Sequence, residues 1–147
     1  MLEKFLNLQD HLCFSLYACS RAISRMYRPL LKKLDLTYPQ YLVLLVLWEK
    51  EQQTVKELGE LLDLDSGTLT PLLKRMEGKK LIRRERPKTD ERVVMVSLTE
   101  EGEALREEAV CIPASLFQSS GMSAEEIGAL NETVKSLTER VSRFNSI

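Results

Sequence analysis

Apolar residues recur at helical intervals along the first part of the chain. Leu8, Leu12, Leu16, Cys19 and Ile23 are spaced by four, four, three and four residues, one stripe of an amphipathic helix. The pattern predicts a helix over 7–26, with Asn7 as cap and Asp10 in the first turn, and a shorter helix over 27–34 with Pro29 near its start. Thr37-Tyr38-Pro39 is a cap followed by an early helical proline, opening a largely buried helix over 40–50. Thr54 with Glu57 is a capping-box pair and predicts a short helix over 55–62. Asp65 and Ser66 open the next helix, to about 79, with Leu69, Leu72, Leu73 and Met76 inward. Pro71 is tolerable there only near the helix start, where a missing N–H has no intrahelical partner. Strand-like runs over 81–86 and 92–98 flank the polar segment 87–91 and predict a β-hairpin. Thr99 caps a new helix, Pro113 interrupts it, and Ser123 with Glu126 opens the last one. That helix repeats Ile127, Leu130, Val134, Leu137, Val141 and Phe144 at alternating threes and fours, a heptad seam.

The order helix, helix, helix, hairpin over about 38–98 is the winged helix-turn-helix pattern. The predicted fold class is mainly α with a small β-hairpin wing, as a single domain over 1–147. The winged unit already has apolar faces to bury together. The stripes at both ends, about 7–34 and 100–145, are left over. Packing against a second copy would bury them, so a homodimer is expected.

Composition adds limits. The 147 residues are 44% apolar and 29% charged, ordinary for a soluble globular protein. The longest strongly apolar run, 41–48, is too short to span a bilayer. Glu3 and Lys4 come early and no small-residue cleavage site follows, so a cytoplasmic protein is expected. Net charge is −1 and announces no polyanion, but its distribution does. Residues 74–92 carry 9 basic and 4 acidic side chains, while 93–147 carry 4 basic and 9 acidic. A basic island beside an acidic flank is a footprint for phosphate, or else a solvated surface. Three widely spaced cysteines, no CxxC and one histidine, His11, make neither a disulfide scaffold nor an ordinary zinc site. No metal or cofactor is expected.

The helix over 66–79 would enter the major groove of double-stranded DNA. Its early residues Ser66, Gly67, Thr68 and Thr70 are small and polar, so the helix end can approach closely and hydroxyls or free N–H groups can bond bases or phosphates. Capping alone is the plainer reading of Asp65, Ser66 and Thr68. Lys74 and Arg75 lie away from the leucines and suit phosphate contacts. Lys79, Lys80, Arg83, Arg84 and Arg86 would add charge around the hairpin. Asp90 and Arg92 flank the wing tip, where an arginine suits the narrow minor groove and a carboxylate can fix its side chain.

Residues 64–77, with Leu69-Thr70-Pro71 at their centre, resemble MarR-type regulators, as do Asp90-Glu91-Arg92 and Val96-Ser97-Leu98-Thr99. Leu12-Cys13-Phe14-Ser15-Leu16-Tyr17, Tyr27-Arg28-Pro29-Leu30-Leu31 and Leu36-Thr37-Tyr38-Pro39-Gln40-Tyr41 narrow the resemblance to the organic hydroperoxide resistance repressors. The resemblance covers nearly the whole chain. It implies a MarR-like dimer whose reduced form binds a pseudo-palindromic operator and represses a peroxidase gene. It implies that an organic hydroperoxide oxidises Cys13 and releases the DNA. By the same resemblance two tyrosine hydroxyls, Tyr27 and Tyr38, hold the reactive thiolate, and Tyr17 is a third tyrosine contributed by the other subunit. The chemistry is consistent, because the thiolate is the nucleophile and hydroxyl donors favour the charged form. An inert structural cysteine is the plainer reading of Cys13, and packing that of the tyrosines.

Two-cysteine members of the family lock the oxidised state with a partner cysteine that would fall near Gly121-Met122, where this chain has none. Cys111 then reads as structural, and Cys19, six residues from Cys13, faces another way on the helix. Completion by a small cellular thiol or by overoxidation is favoured, and a Cys13–Cys111 disulfide stays open. Two alternatives remain: a MarR-type regulator released by a small aromatic ligand with Cys13 inert, and a thiol peroxidase. The DNA-reading unit and the lack of a convincing resolving cysteine argue that the chain is not an enzyme.

Overall fold

The computed structural model describes residues 1–145. Helix α1 spans Leu12–Lys33 without a break, preceded by two short 3-10 turns, Leu2–Leu6 and Leu8–Asp10. Both departures from the expected pattern have physical causes. Asn7 stands before the second 3-10 turn rather than before the long helix, and His11 occupies the N-cap position of α1, neither with a side-chain capping bond. Residues 1–15 are all exposed, so nothing supports an earlier helical start. Pro29 sits inside α1 rather than opening a second helix. Its ring costs one intrahelical bond, to the Arg25 carbonyl, but Leu31 is buried and Tyr27, Leu30 and Leu34 pack on the core. That anchoring carries the helix through.

Helix α2, Tyr38–Lys50, forms the middle of the core. The Thr37 side chain accepts from the Gln40 N–H, and the Gln40 side chain accepts from the Thr37 N–H, a closed capping box. Tyr41, Val43, Leu44, Leu47 and Trp48 are buried around it. The Trp48 Nε1–H donates to the Gly102 carbonyl at 3.0 Å. Strand β1, Gln52–Thr54, follows and leads directly into α3, Val55–Leu62, through the Thr54–Glu57 capping box. Helix α4 is Ser66–Gly78, β2 is Ile82–Glu85 and β3 is Met95–Leu98. The sheet has three antiparallel strands in the order β1–β3–β2, with Gln53 and Arg84 both opposite Val96. The expected two-stranded hairpin therefore gains a third strand. Residues 92–94, expected in the second strand, lie outside the ladder because a turn at Pro87–Asp90 and the bond from Val93 N to Asp90 O widen the loop.

Pro71 also departs from expectation. It stands in the second turn of α4, not the first, so the Gly67 carbonyl loses its intrahelical donor. Leu69, Leu72, Leu73 and Met76, all buried, hold the helix in place. Helix α5, Glu100–Ala109, starts at Thr99, whose hydroxyl accepts from the Gly102 N–H.

The chain divides into two compact units, Met1–Ile112 and a second beginning at Pro113. The second contains α6, Ala114–Ser120, and α7, Ala124–Asn145, the latter opened by the expected Ser123–Glu126 capping box. No residue of α7 is buried, and Leu130, Val141 and Phe144 are at least half exposed. Among the described residues no helix is long and apolar enough to cross a membrane.

Candidate DNA interface and thiol site

The amino end of α4 is built from its cap. Asp65 Oδ1 accepts from the Thr68 N–H at 2.7 Å, and this bonding holds the Asp65 carboxyl below its usual range. Ser66, Gly67 and Thr68 are exposed in the first turn, and Thr70 is half-buried. Gly67, Thr70 and Lys74 follow one another at helical spacing on the face opposite the buried leucines, with Arg75 exposed beside them. This face can present hydroxyls, backbone N–H groups and two cations to a groove of DNA.

The wing is equally ordered. Asp90 Oδ1 accepts from the Arg92 N–H at 3.1 Å and from the Arg92 Nε–H at 3.2 Å. Asp90 is thus both a turn former and a brace, and the Arg92 side chain stands 93% exposed at the tip. Arg86 Nη1 donates to the Glu91 carbonyl at 2.7 Å and closes the base of the loop. Between α4 and the wing runs a groove of about 510 Å³ lined by Thr70, Leu73, Lys74, Glu77, Arg84 and Arg86, among others.

Two of the cations expected around the hairpin have other places. The Lys79 ammonium turns to the corner between α1 and α2, donating to the Asp35 carbonyl and, at 3.2 Å, to Gln40 Oε1. Arg84 is mostly covered and bound to Glu77. Glu77 Oε1 accepts from Arg84 Nη2 at 3.0 Å, and Oε2 accepts from the Arg84 backbone N–H at 3.2 Å. The Arg84 bonds hold the Glu77 carboxyl below its usual range against an opposing effect of burial. Neither Glu77 nor Gln40 stood out in the sequence: Glu77 pairs with a residue on another element and no periodicity marks it, whereas Gln40, three residues after Thr37, completes a capping-box spacing that could have found it.

Cys13 is a free cysteine, exposed in the first turn of α1. Tyr17 lies one turn further on the same face, with the Arg21 guanidinium 5.6 Å from its ring centre. Within one protomer, then, a tyrosine hydroxyl-bearing side chain stands one helical turn from Cys13. Tyr27 is about 21 Å from Cys13 along the helix axis, at 1.5 Å per residue. Tyr27 instead stacks on Tyr38, with ring centres 5.7 Å apart and planes 14° from parallel. Tyr38 meets Tyr41 at 6.2 Å, and Tyr41 meets Trp48 edge-on at 6.4 Å. Burial raises the Tyr27 hydroxyl, with Tyr38 adding to it. Burial pushes Tyr41 up to about 12, with Tyr27, Tyr38 and Cys111 adding to it. Cys111 is exposed, its Sγ donating to the Glu108 carbonyl at 3.5 Å. Among the described residues no cluster of three His, Cys, Asp or Glu side chains is arranged to hold a metal ion.

The family profile described as transcriptional regulator SarA/Rot matches residues 25–109. The organic hydroperoxide resistance transcriptional regulator of Bacillus subtilis (strain 168) is 51% identical over 147 residues, covering 99% of this chain and 100% of that protein. The chain belongs to the MarR-type transcriptional regulators, in the organic hydroperoxide resistance branch. Like its relatives, it is a DNA-binding transcriptional regulator with a winged helix. AbfR, known from Staphylococcus epidermidis, is similar in structure. Its reduced, DNA-bound form is 36% identical, covers 96% of this chain and 99% of that one, and superposes with a TM-score of 0.78. Its disulfide form is 38% identical over 92% of this chain and 96% of that one, with a TM-score of 0.64.

Proposed function

We propose that the protein is a homodimeric repressor in the cytoplasm that senses organic hydroperoxides through Cys13. One observation carries this reading. Tyr38, 37% exposed, stacks on Tyr27, which stands about 21 Å from Cys13 along α1 in the same chain. Only a second copy can bring those hydroxyls to the Cys13 thiolate. The sensing site is then complete only in the dimer, where Tyr17 and Cys13 of one protomer meet Tyr27 and Tyr38 of its partner.

The Cys13 thiolate attacks one peroxide oxygen. A sulfur–oxygen bond forms, the oxygen–oxygen bond breaks, and the alkoxide leaves and takes up a proton as the alcohol. The resulting sulfenic acid carries no full charge and an extra oxygen, so the tyrosine hydrogen bonds must rearrange. A small cellular thiol then displaces the oxygen as water and leaves a mixed disulfide. AbfR, with a reduced form on DNA, an overoxidised form on DNA and a disulfide form, supports thiol oxidation as chemistry available to a regulator of this fold. Displacing Tyr38, the first residue of α2, shifts the corner to which Lys79 ties the end of α4. The spacing of the two reading helices, which must match one turn of a pseudo-palindromic operator, then changes.

The test is Cys13→Ser. The variant is expected to bind operator as the reduced protein does and to stay bound under organic hydroperoxide. Release at the normal rate would remove Cys13 from the mechanism. Intact mass under peroxide, with and without a small thiol, then separates a mixed disulfide from an overoxidised acid or a chain linked through Cys111.

A second reading has its own observation. A cavity of about 400 Å³ between α1 and the α1–α2 corner is lined by Arg28, Lys32 and Lys79 together with Leu31, Leu36 and Tyr38. Cations over apolar walls suit an anionic aromatic ligand. Displacement of DNA by such a compound from the Cys13→Ser variant would establish that control.

A further inference from the structure

We propose that Glu77 is a positioning residue for DNA binding, whose carboxylate clamps Arg84 and fixes the angle of the wing against the reading helix. Charge alone points the other way. Glu77 is an acidic side chain on the last turns of α4, inside the most basic stretch of the chain, where a carboxylate repels phosphate. A function in holding geometry accounts for it.

The geometry has three parts. The Glu77 carboxylate uses both oxygens: one takes the Arg84 guanidinium at 3.0 Å and the other takes the Arg84 backbone N–H at 3.2 Å. The first bond holds a side chain and the second holds strand β2 itself. A carboxylate bound in this way to a planar guanidinium and to the main chain fixes orientation, not only proximity. Second, the Arg84 side chain is only 22% exposed, so it is a strut and not a cation offered to solvent. Third, Arg84 faces Val96 in the register of β2 with β3, two strands whose outer ends lead into the loop that carries Asp90 and Arg92. Both members of the clamp line the groove that Thr70 and Lys74 of α4 share with Arg86. A change of angle there displaces Arg92 at the wing tip relative to Thr70 on α4.

The proposal rests on the reading of α4 and the wing tip as DNA contacts, and the experiment separates the two. A palindromic duplex selected from random sequence by the wild-type protein is titrated by fluorescence anisotropy. The proteins are wild type, Arg92→Ala, Glu77→Gln, Arg84→Lys and the two double variants that combine Arg92→Ala with Glu77→Gln or with Arg84→Lys, with thermal melts alongside. Arg92→Ala alone is expected to weaken binding about tenfold, the scale of one lost groove contact. Glu77→Gln removes a negative charge and is nevertheless expected to weaken binding about tenfold. In the Glu77→Gln background the added loss from Arg92→Ala is expected to shrink to about twofold or less, since the wing is no longer held in register. Arg84→Lys keeps the charge but loses the fork, and is expected to behave as Glu77→Gln does. It carries the same cycle if Glu77→Gln reduces the folded fraction. Tighter binding by Glu77→Gln, or an undiminished Arg92 effect in the clamp variants, overturns the clamp. No effect of Arg92→Ala in the wild-type background overturns the wing reading beneath it.

Discussion

Lys80 stands at φ +64°, a left-handed conformation that costs a residue with a Cβ about 1 kcal/mol and glycine almost nothing. It forms the tight turn from α4 into β2, where its N–H bonds the Glu77 carbonyl. Lys80→Gly is therefore expected to stabilise the fold by up to about 1 kcal/mol, read by urea unfolding. Any loss of DNA affinity by this variant would measure the lysine's charge separately. Gly102 is the opposite case. A Cβ there would lie 2.2 Å from the Leu81 carbonyl oxygen, a backbone atom that cannot yield cheaply. Gly102→Ala is expected to destabilise by about 2 kcal/mol or more and to weaken the bond from Trp48. Tyr41 gives a pH signature. Its hydroxyl is raised from 10.0 to about 12 in the folded state, so the neutral form is favoured there. Its stabilising effect is full below pH 10 and is lost as pH rises from 10 towards 12. Tyr41→Phe should flatten the fall in stability across that window relative to wild type, as measured by denaturant midpoints. At this scale the sequence showed candidate residues for the chemistry but not their partners. Cys13, Tyr17, Tyr27 and Tyr38 were visible as a set, while their division by about 21 Å of helix appeared only in three dimensions.

Helix starts were the most legible elements, because each is written in two or three adjacent residues. Thr37, Thr54, Asp65, Thr99 and Ser123 all open helices, and all five side chains accept from a backbone N–H of the first turn. Thr37→Ala should cost about 1 kcal/mol. If oxidation of Cys13 governs DNA release as proposed, the substitution should also disturb that release more than a cap elsewhere, because its box partner Gln40 takes the Lys79 ammonium that anchors α4. Chemical unfolding and peroxide-triggered DNA release measure the two effects. What the local pattern missed depends on distant partners. Strand β1 is three residues of Gln, Gln and Thr, too short to show alternation, and it exists because β3 offers an edge. Pro29 and Pro71 both signal helix boundaries by local rules, yet both lie inside helices whose buried leucines outweigh one lost hydrogen bond each.

At the scale of the whole molecule, the apolar surface left uncovered sets the last expectation. Leu2, Phe5, Leu6, Leu8, Leu12 and Phe14 at one end of the chain, and Leu130, Val141 and Phe144 near the other, are all at least 40% exposed. A protein surface facing water rarely leaves that much apolar area open, and a DNA reader of this class needs two reading helices about one helical turn apart. One association would cover the surface, place the reading helices and complete the thiol site. These outcomes are linked and can be separated by dilution. Replacing Leu130 and Val141 with glutamate should shift the protein from dimer to monomer in sedimentation and abolish binding to a full palindrome. If the tyrosines that support the Cys13 thiolate come from the partner, the same variant should oxidise about tenfold more slowly with organic hydroperoxide, the scale of one hydrogen bond to a charged group. Wild-type protein diluted below its dimer dissociation constant should slow in the same way. Tyr27→Phe should slow the dimer and leave the monomer's rate unchanged. Equal oxidation rates for monomer and dimer would place the support for the thiolate within one protomer, with Tyr17 as the only hydroxyl one turn away on α1.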